Sequence, residues 1–314
     1  MVMNMNNKNW VSVWGNAVSI AEHHPEAYAK YITLRYPVYI PFDGDTLRFT
    51  FDNYCGSEAV TVTRATVSAA TSPVYEKMPL ACPCKKETIC DITFSKNESV
   101  TMEAHQTAVS DPVSFPVKKG MTLTVSLYFA DFTLMQSAVL VTGPLSKGFF
   151  SLGDQTHADA LPMDTTKTTN WFYFLSNIEL MTAEENHTVI CYGDSITAGA
   201  WPDYLTLLAR QNPDNHTAFI RRATSGSRVL RQYECITYDS YGLKGTNRFP
   251  HEIPTTGADT VIIQQGINDI IHPVGIETNP FRPMSDLPTV KELIDGYRYY
   301  IEEAKKLHLK VYMG

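Results

Sequence analysis

With 314 residues the chain has room for about two domains, and a chain of this length buries roughly three-quarters of its unfolded surface without staples. A net charge of -7 on an ordinary composition gives no electrostatic footprint for nucleic acid or an anionic membrane. No apolar run approaches the ~20 residues of a membrane span and residues 1–8 carry no apolar leader core, so the expected location is the cytoplasm, or outside the cell if the start is misassigned.

Residues 9–183 read as mainly β. The run 46–52 alternates strictly, with Leu47, Phe49 and Phe51 on one face, and 121–129 alternates in the same way. Period-two runs of this kind predict half-buried strands. Further strands are expected over 59–68, 91–94, 100–103 and 113–117, separated by turn signals at Asp43-Gly44, Ser95-Lys96-Asn97 and Lys118-Lys119-Gly120. Many short strands at this spacing predict a two-sheet sandwich or jelly roll. Residues 22–31 read as a short helix. The segment 140–170 lacks periodicity and reads as a crossing toward a second domain, followed by one apolar strand over 171–175 at the junction. The polar stretch 181–187 is the expected boundary, giving domains 1–185 and 186–314.

From Val189 the pattern changes to strand–helix alternation, the mark of a parallel sheet with helices on both faces. Strands are predicted over 189–193, 218–221, 260–265 and 309–313. A helix opens near Pro202, with Tyr204, Leu205, Leu208 and Ala209 at helical spacing. The clearest helix opens at Pro288 and Thr289, with its cap expected in 286–288. Its apolar stripe is Val290, Leu293, Ile294, Tyr297, Ile301, Ala304 and Leu307.

Six cysteines are too few for a disulfide framework in a chain this long. Cys82, Cys84 and Cys90 cluster, with Cys55 upstream and His105 downstream, but the spacing fits no standard zinc knuckle. Free thiols in a reducing compartment are the better reading, and no metal or other cofactor is expected. The sequons at Asn97, Asn186 and Asn215 are patterns without meaning unless the chain is secreted.

Chemistry gathers at three strand ends. The strand 189–193 runs into Gly193-Asp194-Ser195, a serine at the carboxyl end of a strand just before a helix, where open α/β sheets place reactive groups. The plain alternative is an ordinary serine-containing turn. Ala223-Thr224-Ser225-Gly226-Ser227-Arg228 follows the next short strand, and the strand after it ends in Gly266-Ile267-Asn268-Asp269. These three ordered blocks resemble the SGNH (GDSL) hydrolase family. More loosely, 10–15, 44–48 and 110–113 resemble segments of two-domain SGNH proteins with a β-sandwich ahead of the hydrolase domain. The resemblance implies an α/β fold: an N-terminal jelly-roll-like β-sandwich, then a flavodoxin-like parallel-sheet hydrolase domain.

By that resemblance Ser195 is the nucleophile of an acyl-enzyme mechanism. Its own N–H, the N–H of Gly226 and the side-chain amide of Asn268 form the oxyanion hole. Asp194 and Asp269 are expected to support the turns and to stand outside the proton relay. The family's base and its positioner come from a late Asp-x-x-His. The chain reaches Gly314 without one in that place, so it is expected to be C-terminally truncated and to turn over esters slowly or not at all as written. Two Asp-x-x-His matches, Asp154 with His157 and Asp269 with His272, read as decoys. His272 and Trp201 are expected at the substrate mouth. The leading expectation is a serine-dependent carboxylic ester hydrolase, acting on small acyl groups of a carbohydrate or other small ester. A lipase or thioesterase is the runner-up within the class. The alternative outside it is a carbohydrate-binding or interaction protein with an inactive hydrolase half. Neither nucleic acid nor membrane is an expected partner, and the oligomeric state is open.

Overall fold

The computed structural model describes residues 8–21, 28–233, 240–274 and 282–314. The strand-rich half contains β1 (Lys8–Gly15), β2 (Ile32–Tyr39), β3 (Gly44–Asp52), β4 (Arg64–Ala69), β5 (Cys90–Ile92), β6 (Thr107–Val109), β7 (Val113–Val117), β8 (Thr122–Phe129), β9 (Gly148–Leu152), β10 (Lys167–Thr169) and β11 (Leu175–Ala183), with shorter paired segments between them. One antiparallel sheet runs β1-β11-β3, with β6 and β7 both pairing the far side of β3. A second runs β10-β9-β2-β8-β4-β5. Leu47, Phe49 and Phe51 of β3 share one core with Leu34, Val67, Val125 and Leu127 of the other sheet. Full burial of each such side chain contributes about 2 kcal/mol.

The strand β8 departs from its half-buried expectation, because every residue in it is buried. Its alternate face is polar, yet it does not meet water. The hydroxyls of Thr124 and Ser68 bond each other at 2.6 Å, and Ser126 Oγ accepts from Arg35 Nε at 2.9 Å. Arg35 then donates to the carbonyls of Gln155 and Ala158 at 2.7 and 2.8 Å, drawing the crossing segment over the sheet. The run expected at 59–68 divides into Val60–Val62 and β4. The single strand expected at 171–175 breaks at Phe174, whose φ of +60° sends Trp171–Tyr173 to pair with Ser137–Leu140 and β11 into the first sheet. Strand β11 continues to Ala183, so the polar stretch contributes only a turn before the next strand. Of the helix expected over 22–31, residues 22–27 lie outside the described residues, and Tyr28–Ala29 pairs with Thr133–Leu134 as a strand.

The second half contains β12 (His187–Gly193), α1 (Ser195–Ala198), α2 (Trp201–Arg210), β13 (Thr217–Ala223), α3 (Gly245–Glu252), β14 (Ala258–Gln264), α4 (Ile267–Val274), α5 (Val290–Lys306) and β15 (Lys310–Met313). Its four strands are all parallel, in the order β13-β12-β14-β15. Ile190, Tyr192, Ile220, Val261 and Ile263 form its core with Phe249 of α3 and Tyr300 of α5. Among the described residues no helix is long and apolar enough to cross a membrane.

Two helix faces differ from those expected. In α5 the expected stripe holds in part: Ala304 is buried and Leu293 and Tyr297 pack against the core, together with Gly296 and Tyr300, whereas Val290 is 78% exposed and Ile294 and Leu307 are exposed as well. In α2 it is Pro202 and Asp203 that are buried, and Tyr204 and Leu208 face outward. Polar groups set both orientations. Tyr300 OH donates to Gln265 Oε1 at 2.6 Å, and the Asp203 carboxylate pairs with Arg221 at 2.7 Å. The cap of α5 is Thr289, in a reciprocal box with Glu292, one residue beyond the expected capping region.

Candidate active site

Parallel register sets Gly193 of β12 beside Ala223 of β13 and Gln264 of β14. The three following turns therefore leave one edge of the sheet together, where the strand order reverses and open α/β sheets hold ligands. Close approach of these strand ends demands glycine at 193. A Cβ there would lie 2.2 Å from the Gln264 carbonyl oxygen and 2.5 Å from Thr197 Oγ1.

Ser195 is the first residue of α1 and is exposed. Asp194 caps the helix, its carboxylate accepting from the Ile196 N–H at 3.0 Å. Burial raises the Asp194 pKa, and the Ile196 N–H opposes that rise. The Ser195 hydroxyl makes no hydrogen bond to a described residue.

The second turn is tied to the first by Thr224 N–H donating to the Gly193 carbonyl at 3.1 Å. Gly226 takes φ +76°, and a Cβ on it would meet the Tyr241 ring at 2.2 Å. The neighbouring Ser227, which sequence reasoning passed over, clasps the site. Its hydroxyl accepts from Arg248 Nη1 at 2.9 Å and Gln265 Nε2 at 2.8 Å, and its carbonyl accepts from Asn268 Nδ2 at 3.0 Å. Only its place beside Gly226 could have signalled that role.

The third turn opens α4, which buries Asn268, Asp269, His272 and Pro273 on one face. Asp269 accepts from the N–H groups of Val229 at 2.7 Å and Leu230 at 3.1 Å, so a residue of the third block holds the chain leaving the second. Burial raises the Asp269 pKa against those two donors. His272 Nδ1 lies 2.5 Å from Tyr233 OH, and its ring stacks with Tyr241 at 5.7 Å. Burial first, then the Arg228 charge, lowers the His272 pKa to about 4. Trp201 opens α2 with its indole Nε1 buried and without an acceptor.

The structure thus brings Ser195, Gly226, Asn268, Asp194 and Asp269 to one sheet edge and sets Trp201 on a separate element. Asp154 and His157 lie in the strand-rich half, on Arg64 at 2.6 Å and Asp91 at 3.0 Å respectively. Cys82 and Cys84 are buried there, and burial pushes the Cys82 thiol up to about 12. Among the described residues no three metal-ligating side chains gather.

No family model matches the chain, and no curated protein matches it. Among solved structures it is similar to a family two carbohydrate esterase from Cellvibrio japonicus, at 11% identity over 98% of this chain and 79% of that one, with a TM-score of 0.30. An active site mutant of a family two carbohydrate esterase from Clostridium thermocellum is similar at 10% identity over 98% and 77%, TM-score 0.31. An acetyl xylan esterase from the rumen bacterium Butyrivibrio proteoclasticus is similar at 10% identity over 98% and 80%, TM-score 0.26.

Proposed function

We propose that the chain carries the centre of an SGNH-type carboxylic ester hydrolase, preceded by a β-sandwich domain. Residues 1–185 form the sandwich and its linker in this reading, and residues 186–314 belong to the hydrolase domain. One observation carries it: an exposed serine at a capped helix start shares a sheet edge with a left-handed glycine and a buried carboxamide.

The Ser195 oxygen attacks the ester carbonyl carbon and gives its proton to a base. The carbonyl oxygen takes the negative charge. It is met by the N–H of Ser195, the N–H of Gly226 and the Asn268 amide, whose second hydrogen is not used by Ser227. The alcohol leaves with a proton, and water then releases the acid from the acyl-serine. His272 is a poor base, since Tyr233 holds its Nδ1 and its pKa is lowered to about 4. The reading therefore needs a proton acceptor other than His272. Small acyl esters of a carbohydrate are the substrate class it favours, and the mechanism calls for no metal or cofactor.

A second reading has an observation of its own. Among the described residues no base is hydrogen-bonded to Ser195, as a carbohydrate-binding or interaction protein with a silent hydrolase half would have it. Hydrolysis of p-nitrophenyl acetate by the protein made from its own gene separates the two. It is expected to fall to background in Ser195→Ala and by about 100- to 1,000-fold in Asn268→Ala. Hydrolysis indifferent to Ser195→Ala rejects the first reading, and absence of turnover with retained oligosaccharide binding favours the second.

A further inference from the structure

Leu47, Phe49 and Phe51 turn one face of β3 into the core, so Arg48, Thr50 and Asp52 stand on the other. Cross-strand register adds Asn177 and Glu179 of β11 and Thr107 of β6 to that polar face. The second half stands over it with Arg222 of β13 and with His251 and Glu252 of α3. Between them lies a cleft of about 290 Å3, in which Val18 and Pro254 are the only apolar residues among those described. Clefts where two structural units meet are favoured places for ligands, and this lining excludes an apolar one.

Charges in the cleft are already matched. Glu179 pairs with Arg48 at 2.5 Å, Asp52 with His251 at 2.9 Å and Glu252 with Arg248 at 2.9 Å. Arg222 is 5% exposed and donates to the carbonyls of Asn16, Ser176 and Glu252 and to Asn177 Oδ1. What is left over is single hydrogen-bonding atoms. Glu179 is 7% exposed, and both contacts from Arg48 fall on its Oε2, so Oε1 has no partner among the described residues. Asn16 lines the cleft at 3% exposure, and its side-chain amide makes no hydrogen bond. The Thr50 hydroxyl makes none either. None of these atoms is sealed from water, so a solute in the cleft can reach them. Polar groups this deeply placed are rarely left without a partner. An oxygen that only accepts, an amide that gives and takes, and a hydroxyl that does both match a group carrying several adjacent hydroxyls.

We propose that this cleft is a binding site for a neutral sugar residue, separate from the candidate centre. Ser195, Gly226 and Asn268 do not line it, so the proposal rests on the cleft alone and not on the hydrolase reading. Isothermal titration calorimetry with cellobiose, lactose, mannobiose and xylobiose, neutral disaccharides that differ in their ring substituents, tests it. At least one is expected to bind, with an affinity little changed by added sodium chloride, as an uncharged ligand requires.

The double variant Asn16→Ala/Thr50→Val removes no side-chain hydrogen bond of the folded chain, since the Asn16 carbonyl still accepts from Arg222. Its urea midpoint is expected to hold while sugar affinity falls about ten-fold, the worth of two lost hydrogen bonds. Thr50→Val alone, matched in shape, should lose about half of that on a logarithmic scale and serves if the double variant is less stable. Ser195→Ala is expected to bind the sugar as the wild type does. Sugar binding without Ser195-dependent hydrolysis would remove the hydrolase reading and leave the cleft site. Three results would each overturn the site: no disaccharide bound at millimolar concentration, equal affinity in both variants and the wild type, or an affinity that falls steeply with salt.

Discussion

Asp269→Ala tests the joint between the second and third turns. The wild-type carboxylate accepts two backbone hydrogen bonds, from Val229 at 2.7 Å and Leu230 at 3.1 Å, and Asp269 is 2% exposed. A hydrogen bond to a charged group contributes about 1.5–3 kcal/mol, and each stranded N–H costs a similar amount. Burial of the carboxylate offsets part of that gain, as its raised pKa records. The net loss expected for the alanine variant is about 3 kcal/mol. For Asp269→Asn it is about 2 kcal/mol, since one oxygen still accepts while an amide NH2 meets the other donor. Urea titration reads the loss as a lower midpoint at unchanged slope. Amide exchange localises it, because protection of Val229 and Leu230 should fall more than that of the β12 core. A loss below 1 kcal/mol, or unchanged protection at both amides, would show that Asp269 does not hold this turn.

Three further outcomes are expected. His272 is neutral in the folded chain down to about pH 4 and takes up its proton near pH 6.5 when unfolded, so stability should fall as pH drops through that window. With partial solvent screening the loss is about 2 kcal/mol, and His272→Gln should flatten the slope of urea stability against pH; identical slopes would contradict this. Gly226→Ala should lose about 1–2 kcal/mol to its left-handed backbone and more to the Tyr241 ring. Adding Tyr241→Ala should relieve the clash and leave the backbone loss, as read by thermal unfolding of both variants. Thr289→Ala should weaken the capping box of α5 by about 1 kcal/mol in urea titration.

The sequence was most legible where one physical cause acted alone. Leu47, Phe49 and Phe51 alternate because β3 has one core face and one partly open face, and those three rows are fully buried. The strand β12 showed as a short apolar run because it is packed on both sides, whereas β14 buries only alternate residues and β15 is largely exposed. The glycine and polar residues ending the parallel strands could be ordered along the chain but not joined in space; that took the register of Gly193 with Ala223 and Gln264. The α5 stripe was misread at Val290 and Ile294, which hydropathy ranks above Tyr300, while its members Leu293, Tyr297 and Ala304 do pack on the core. Tyr300 is fully buried and Tyr297 partly so, because their hydroxyls reach Gln265 at 2.6 and 2.9 Å. Gly296 lets the chain at Val229 and Leu230 lie against the same face. The polar face of β8 was misread for a related reason, since alternation says which residues differ in polarity and not whether water covers them.

Buried arginines account for what periodicity could not show in the second half. Arg221 and Arg222 are consecutive on β13, so they point to opposite sides of the sheet. Arg221 pairs with Asp203 and donates to the carbonyls of Thr197 and Gly199, fixing α1 and α2 against the strand. Arg222 donates to the carbonyls of Asn16, Ser176 and Glu252 and to Asn177 Oδ1, joining β13 to the strand-rich half; burial draws its pKa down to about 10. Arg248 joins Glu252 to Ser227 and so reaches the second turn. A guanidinium out of water is tolerated only where several acceptors surround it, so each of these side chains demands one arrangement of its neighbours. A hydrophobic stripe would tolerate small rotations of a helix or shifts of a turn. These forks do not, and the candidate site is built on the turns that they and Asp269 hold.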